Sequence, residues 1–372
     1  MKLSLKEFQQ YCLKHQVAFV SYTLPGTDEP VTLFSNSNEI KTYKYISDIK
    51  ETEGFLLSPF QSENLPVVVI SDHNKQEGWE VNLTELPKSA LKRSNNSIID
   101  QTEIAFPLYS LQINEIRKRI RAGEAKKVVL SRTKLLTGMD ESQLPDIFEK
   151  LTIKYTNAFV YLVFTPQTGI WLGATPELLL QTDRLSFSTM ALASTKGFQS
   201  LAKEVNWTDK EHKEHVYVAD YVRQKLTSGG YFFQEMERET IRAGNVVHLR
   251  TRFNGGLNGD QTAWKKLVEL LYPTPAICGT ESEATVKLIR KIEQHKREYY
   301  TGIVGPFDER SKTNLFINLR CMKVLGNEAL LYAGGGILEE STPANEWRET
   351  EMKFNTLIQV IHNVKGKTKV DK

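Results

Sequence analysis

The sequence predicts an α+β sandwich and not a regular βαβ array. Three observations carry this. Apolar segments rich in β-branched residues often come in adjacent pairs, helical patterns fall between them irregularly, and no internal repeat sets a period. The 372 residues suffice for one large domain or two ordinary ones.

The first ten residues set Leu3, Leu5 and Phe8 among Lys2, Lys6 and Glu7, the pattern of a short amphipathic helix. Residues 17–22 and 67–71 read as strands, and Gly26-Thr-Asp-Glu-Pro30 reads as a turn. Residues 88–103 lose periodicity and read as a connector after an N-terminal part, residues 1–100. Beyond it, Ile113, Ile116 and Ile120 share a helix face that Gly123 can terminate. Residues 127–133 and 158–165 read as strands, and residues 172–180 as strand, turn and resumed strand. A helix is expected over 209–226, with Val216, Ala219, Val222 and Leu226 on one stripe. Strands over 315–324 and 329–333 and a helix over 347–360 follow, and the basic tail from Lys365 reads as a frayed terminus.

Composition narrows the function. A net charge of +3 with no clustered basic face argues against a nucleic-acid partner. Cys12, Cys278 and Cys321 are odd in number and lack Cys-x-x-Cys spacing, so neither a disulfide framework nor a zinc knuckle is expected, and a reducing cytoplasm fits. No apolar run approaches the roughly 18 residues of a membrane span, and the N-terminus lacks a signal-peptide core.

Two acidic pairs stand out. Glu211 and Glu214 share a helix face, as do Glu346 and Glu349. Alone, the first pair reads first as a solvated face with Lys210 and Lys213 as partners, and the second as acids favoured by a helix dipole. Together they offer oxygen ligands for a hard cation such as Mg2+. Zinc is disfavoured, because His212 and His215 fit no zinc-protease spacing. Lys127 starts a strand expected to be buried, where a desolvated lysine can act as a base or, more blandly, snorkel to water. Glu177 follows Pro176 among apolar residues, which raise a carboxyl pKa and suit a general acid. Gly334-Gly-Gly336 follows a strand without a dinucleotide fingerprint and permits close backbone approach to a ligand. Arg320, expected on a strand, and Lys353 are cations able to bind carboxylates.

The order of these pieces is more specific than any one of them. Lys127-Val-Val-Leu-Ser-Arg132, Gly173-Ala-Thr-Pro-Glu-Leu178, Lys210-Glu-His-Lys-Glu-His215, Val247-His-Leu249, Tyr272-Pro-Thr-Pro-Ala276, Tyr300-Thr-Gly302, Gly334-Gly-Gly-Ile337 and Glu346-Trp-Arg-Glu-Thr350 follow one another as in the chorismate-utilising enzymes. The resemblance implies a large single-domain sandwich of mostly antiparallel sheets with helices outside. It places the chorismate-binding catalytic region at 104–363, leaving 1–100 to complete the sandwich. Within the family the chain most resembles the isochorismate synthases. A lysine at position 127 marks members that use water, and alanine at 193 argues against a lysine nucleophile.

The resemblance also implies a role for each candidate residue. By it, Lys127 is the base that activates water for attack at C2 of chorismate, and Glu177 protonates the departing C4 hydroxyl, an isomerase reaction. Mg2+ binds the ring carboxylate through Glu214 and Glu349, supported by Glu211 and Glu346. Arg320 and Tyr300 hold the enolpyruvyl carboxylate, Lys353 and the Gly336 backbone position the substrate, and Ala193, Thr195 and His248 line the pocket. The family's Ala-Gly-Thr is Ala193-Ser-Thr195 here, and Thr280-Glu281 replaces the usual residues after Cys278-Gly279. A salicylate synthase on the same fold and an inactive binding homologue are the alternatives. Menaquinone and catechol siderophores are the two fates of isochorismate, and a monomer is the expected state.

Overall fold

Two large antiparallel sheets carry the chain. The structure is a computed structural model that describes all residues except 36–39, 62–64, 72–73, 88–102, 199–204, 244–245, 261 and 369–372. The eight-stranded sheet runs Lys75–Glu77, Val31–Phe34, Phe19–Thr23, Phe159–Thr165, Gly169–Thr175, Cys321–Leu325, Glu328–Ile337, Val128–Thr137. The ten-stranded sheet runs Phe233–Glu235, Val246–Gly256, Ser186–Gly197, Leu178–Thr182, Thr313–Ile317, Ile303–Asp308, Glu53–Ser58, Val67–Ile70, Lys41–Tyr43, with Glu239–Ala243 also pairing to Val246–Gly256. Strands from the N-terminal part thus lie at the edges of both sheets.

Strand alternation builds the layers. Phe159, Tyr161 and Val163 face an aromatic core between the sheets, while Val160, Leu162 and Phe164 face helices on the other side. Phe159 meets Phe316 of the opposite sheet in a parallel stack 4.4 Å between centroids, worth about 1 kcal/mol beyond burial. The helices Leu5–His15, Leu144–Lys154 and Pro343–Thr368 cover the eight-stranded sheet. The helices Asp209–Ser228 and Ala263–Leu271 cover the other, while Phe106–Arg121 packs beside Pro343–Thr368 against the strands Glu328–Ile337 and Val128–Thr137 at the edge of the eight-stranded sheet. This is the sandwich with outer helices that the sequence implies.

Local differences follow from packing. The expected single strand over 315–324 is two strands, Thr313–Ile317 and Cys321–Leu325, one in each sheet. Arg320 therefore sits not on a strand but in a crossover, at φ 47°. Likewise Gly169–Thr175 and Leu178–Thr182 belong to different sheets, with Pro176 and Glu177 crossing between them. The crossovers lie side by side, held by Ala174 N–H to Arg320 C=O at 3.1 Å and Ile317 N–H to Glu177 C=O at 3.0 Å.

The glycines 334–336 lie inside the strand Glu328–Ile337, not after it, because a flat glycine edge lets side chains close over the backbone. The buried stripe of Asp209–Ser228 is His215, Val218, Ala219, Val222 and Leu226, while Val216 is exposed. At the N-terminus a short strand, Lys2–Ser4, precedes the helix, which Ser4 and Glu7 start as a capping box. The C-terminal helix runs through Thr368, so the tail is not frayed from Lys365. Except for Glu103, the expected connector lies outside the described residues.

Candidate active site

A cleft of about 690 Å³ opens where the two crossovers meet the glycine strand. Lys127, Glu177, Ala193, Thr195, Glu214, His248, Tyr300, Arg320, Gly336, Glu349 and Lys353 all line it. Of the site residues expected from the sequence, Glu211 and Glu346 do not.

Lys127 is fixed by its backbone. The Thr280 hydroxyl accepts from the N–H groups of Lys126 at 2.9 Å and Lys127 at 3.1 Å, so this unusual threonine pins the strand entrance. The side chain does not snorkel. It is 1% exposed, and Nζ lies 3.0 Å from Glu214 Oε1. Gly336 makes room, since a Cβ there would lie 2.6 Å from Lys127 Cε. Burial pushes the Glu214 carboxyl up, but the Lys127, Lys353 and Lys210 charges outweigh it and hold the pKa below the usual carboxylate value.

Glu177 owes its environment to the crossover, which buries it between the sheets. Burial raises its pKa to about 7, against the opposing pull of Lys127, Lys353 and Arg320. The carboxyl is therefore poised to give up a proton near neutrality.

Arg320 and His248 form a second unit. Burial lowers the Arg320 pKa to about 10, and burial together with the Arg320 and Lys353 charges pushes His248 well below its ordinary value. The imidazole is then neutral. Its Nδ1 lies 2.9 Å from the Ser194 carbonyl, which makes Nδ1 the donor, and its Nε2 accepts from Arg320 Nη2 at 2.6 Å. That pairing aims the buried guanidinium. Tyr300 stacks on Tyr332 with centroids 5.3 Å apart, one wall of the cleft.

The acids converge in part. Glu346 Oε2 and Glu349 Oε1 would lie 3.0 and 3.7 Å from a Cβ at Gly335, and Glu214 faces the neighbouring Gly336. Each is held by a lysine: Glu214 by Lys127, Glu346 by Lys210 at 2.7 Å, and Glu349 by Lys353 at 2.7 Å. Lys353 also donates to the Gly334 carbonyl. Burial and the Glu349 charge raise the Glu346 pKa to about 7. Its Oε2 is buried with no hydrogen-bond partner among the described residues. No three His, Cys, Asp or Glu side chains among the described residues are already gathered at metal-ligating distances. The donor set nonetheless fits a hard cation: oxygen only, acidic, half-buried to buried, with one oxygen unsatisfied. Glu211 stands apart, because its carboxylate closes the capping box with Thr208 and pairs with Lys196 at 3.3 Å.

Ser194 is the residue the sequence reading undervalued. It adopts φ 64° at a bulge in the strand Ser186–Gly197, is 4% exposed, and its hydroxyl lies 2.7 Å from the Glu211 carbonyl and 3.2 Å from Glu214 Oε2. The signal was present as the break in Ala-Gly-Thr. Lys210, in sequence a surface partner for its own helix, instead reaches Glu346 across to the other acidic helix.

The family model for chorismate binding enzymes matches residues 63–362. Isochorismate synthase EntC of Escherichia coli K12 is 31% identical over 245 residues, 64% of this chain and 62% of the relative. Isochorismate synthase DhbC of Bacillus subtilis is 28% identical over 257 residues, 65% of each chain. The chain thus spans 62% to 65% of the length of these curated relatives. Among solved structures, Escherichia coli MenF, the menaquinone-specific isochorismate synthase, superposes with a TM-score of 0.77 at 19% identity, covering 95% of this chain and 91% of that one. DhbC of Bacillus anthracis gives 0.77 at 22%, covering 96% and 99%. The last two establish the fold, and the matched span establishes the rest: this chain belongs to the chorismate-binding enzyme family.

Proposed function

We propose that the protein converts chorismate to isochorismate in a magnesium-dependent reaction. One observation carries the reading: a fully buried lysine, Lys127, and a buried carboxyl with a pKa raised to about 7, Glu177, line the same cleft. Lys127, in its neutral amine form, takes a proton from water as the water oxygen bonds to C2. The ring double bonds shift, and Glu177 gives its proton to the C4 hydroxyl, which leaves as water. One water enters and one departs, so the reaction is an isomerisation.

Two cations, Lys353 and Arg320, face a substrate bearing two carboxylates. Arg320, aimed by His248, and Tyr300 take the enolpyruvyl carboxylate, while Lys353 and the Gly336 backbone orient the ring. Ala193 and Thr195 close the wall. Glu214 and Glu349, with Glu346 behind them, would hold magnesium, which when bound would supply charge to neutralise the ring carboxylate. The capping position of Glu211 does not support a ligand role for it. No described helix is long and apolar enough to cross a membrane, and no disulfide forms among the described residues, which favours a cytoplasmic location.

Purified protein incubated with chorismate and magnesium tests the reading. Isochorismate alone is the expected product. Rapid release of salicylate and pyruvate assigns the pyruvate-eliminating chemistry instead, and unchanged chorismate removes the enzymatic reading.

A further inference from the structure

A second cleft, of about 800 Å³, shares Pro176 and Arg320 with the catalytic one. It lies on the side of the crossovers that faces Lys154–Ala158, Thr356 and Arg242. Three of its lining residues are cations, Lys154, Arg242 and Arg320, and no described aspartate or glutamate lines it.

The cations are graded by depth. Lys154 and Arg242 are exposed at the rim, and Arg320 is buried. Lys154 ends the helix Leu144–Lys154, and its ammonium donates to the neutral Gln359 amide at 3.0 Å. Partial burial lowers its pKa with no carboxylate acting against it. Arg242 lies with its guanidinium 3.8 Å from the centre of the Phe198 ring. Arg320 donates to a neutral imidazole and feels Glu177 and Glu349 from the catalytic side. A cleft of one charge sign with low-dielectric walls concentrates counter-ions. Here the counter-ion would be small and anionic, and the innermost cation is already a wall of the catalytic cleft.

We propose that this second cleft is a receiving site for a dicarboxylate anion, gathered by Lys154 and Arg242 and passed to Arg320. The inference rests on the proposed isochorismate synthase reading, since it takes chorismate as the anion. It also gives the cations separate roles, with Lys154 and Arg242 acting on approach and touching no reacting atom.

Stopped-flow measurement of the chorismate association rate constant tests this, on a Glu177→Gln background that arrests turnover. A Lys154→Gln/Arg242→Gln double variant should associate about tenfold more slowly at low ionic strength. The gap should close as salt rises, because exposed charges are screened. The dissociation rate should not change, and a charge-keeping Lys154→Arg/Arg242→Lys variant should behave as the parent does. Equal association constants at every salt concentration overturn the inference. So does a loss that persists at high salt and appears equally in the charge-keeping variant. Parent protein that neither binds nor consumes chorismate overturns the underlying reading, and the inference with it.

Discussion

Lys127 and Glu214 form an ion pair of 3.0 Å in which the lysine is 1% exposed. Removing one partner strands the other in a poorly solvated place. Lys127→Met should cost about 3 kcal/mol of stability and on the order of 10²–10⁴ in turnover. Urea unfolding and steady-state kinetics on the same preparation check both. A variant that keeps full turnover removes Lys127 as the base.

The raised pKa of Glu177 predicts a pH profile. As a general acid it works only while protonated, so kcat/KM should fall as pH rises through about 7. Glu177→Gln should lose that limb together with most of its activity. Stability moves the same way. A carboxyl whose folded pKa is raised from 4.5 to about 7 binds its proton more tightly when folded, so its contribution declines as pH climbs through that window. Thermal unfolding at pH 5 and pH 8 should show a smaller drop for Glu177→Gln than for wild type.

Ser194 separates backbone from side-chain effects. At φ 64° a residue with a Cβ is strained, and its hydroxyl bonds to Glu211 and Glu214 offset that strain. Ser194→Ala keeps the strain and loses the bonds, at about 1 kcal/mol. Ser194→Gly loses the bonds and relieves the strain, and should be the more stable of the two. Denaturant midpoints of both variants decide the order.

The acids make a prediction that does not depend on turnover. Magnesium should raise the melting temperature of wild-type protein, because a ligand that binds only the folded state stabilises it by mass action. Glu214→Gln and Glu349→Gln should abolish the rise. Glu211→Gln should keep it, since that carboxylate caps its own helix. A rise that survives both of the first substitutions places the cation elsewhere.

A Cβ at Gly336 would press on the Lys127 side chain. Gly336→Ala should leave the fold intact, judged by circular dichroism, and reduce kcat by displacing the base.

Much of this was legible in the sequence because a continuously apolar run marks a strand buried on both faces and a helical apolar stripe marks a helix buried on one. The strand Phe159–Thr165 and the helix Phe106–Arg121 are examples. The crossovers were not legible. Residues 172–180 and 315–324 are apolar runs interrupted by a few polar residues whether they stay in one sheet or pass between two, and only tertiary pairing tells these apart. Placing Arg320 on a strand failed for that reason. Spacing put Glu346 and Glu349 on one helix face but could not say that Lys210 reaches Glu346 from another helix. Glu211 has the same spacing from Glu214, yet capping competes for its carboxylate and wins. The ordered motifs identified the family because they fix which residues must meet, a constraint that no single motif carries.

The central claim is that water adds at C2 while the C4 hydroxyl leaves. Turnover of chorismate with magnesium in water enriched in ¹⁸O reads this directly by mass spectrometry of the product. The account predicts isochorismate with one solvent oxygen at C2. Isochorismate that keeps the original hydroxyl oxygen, or chorismate left unconsumed, would contradict it.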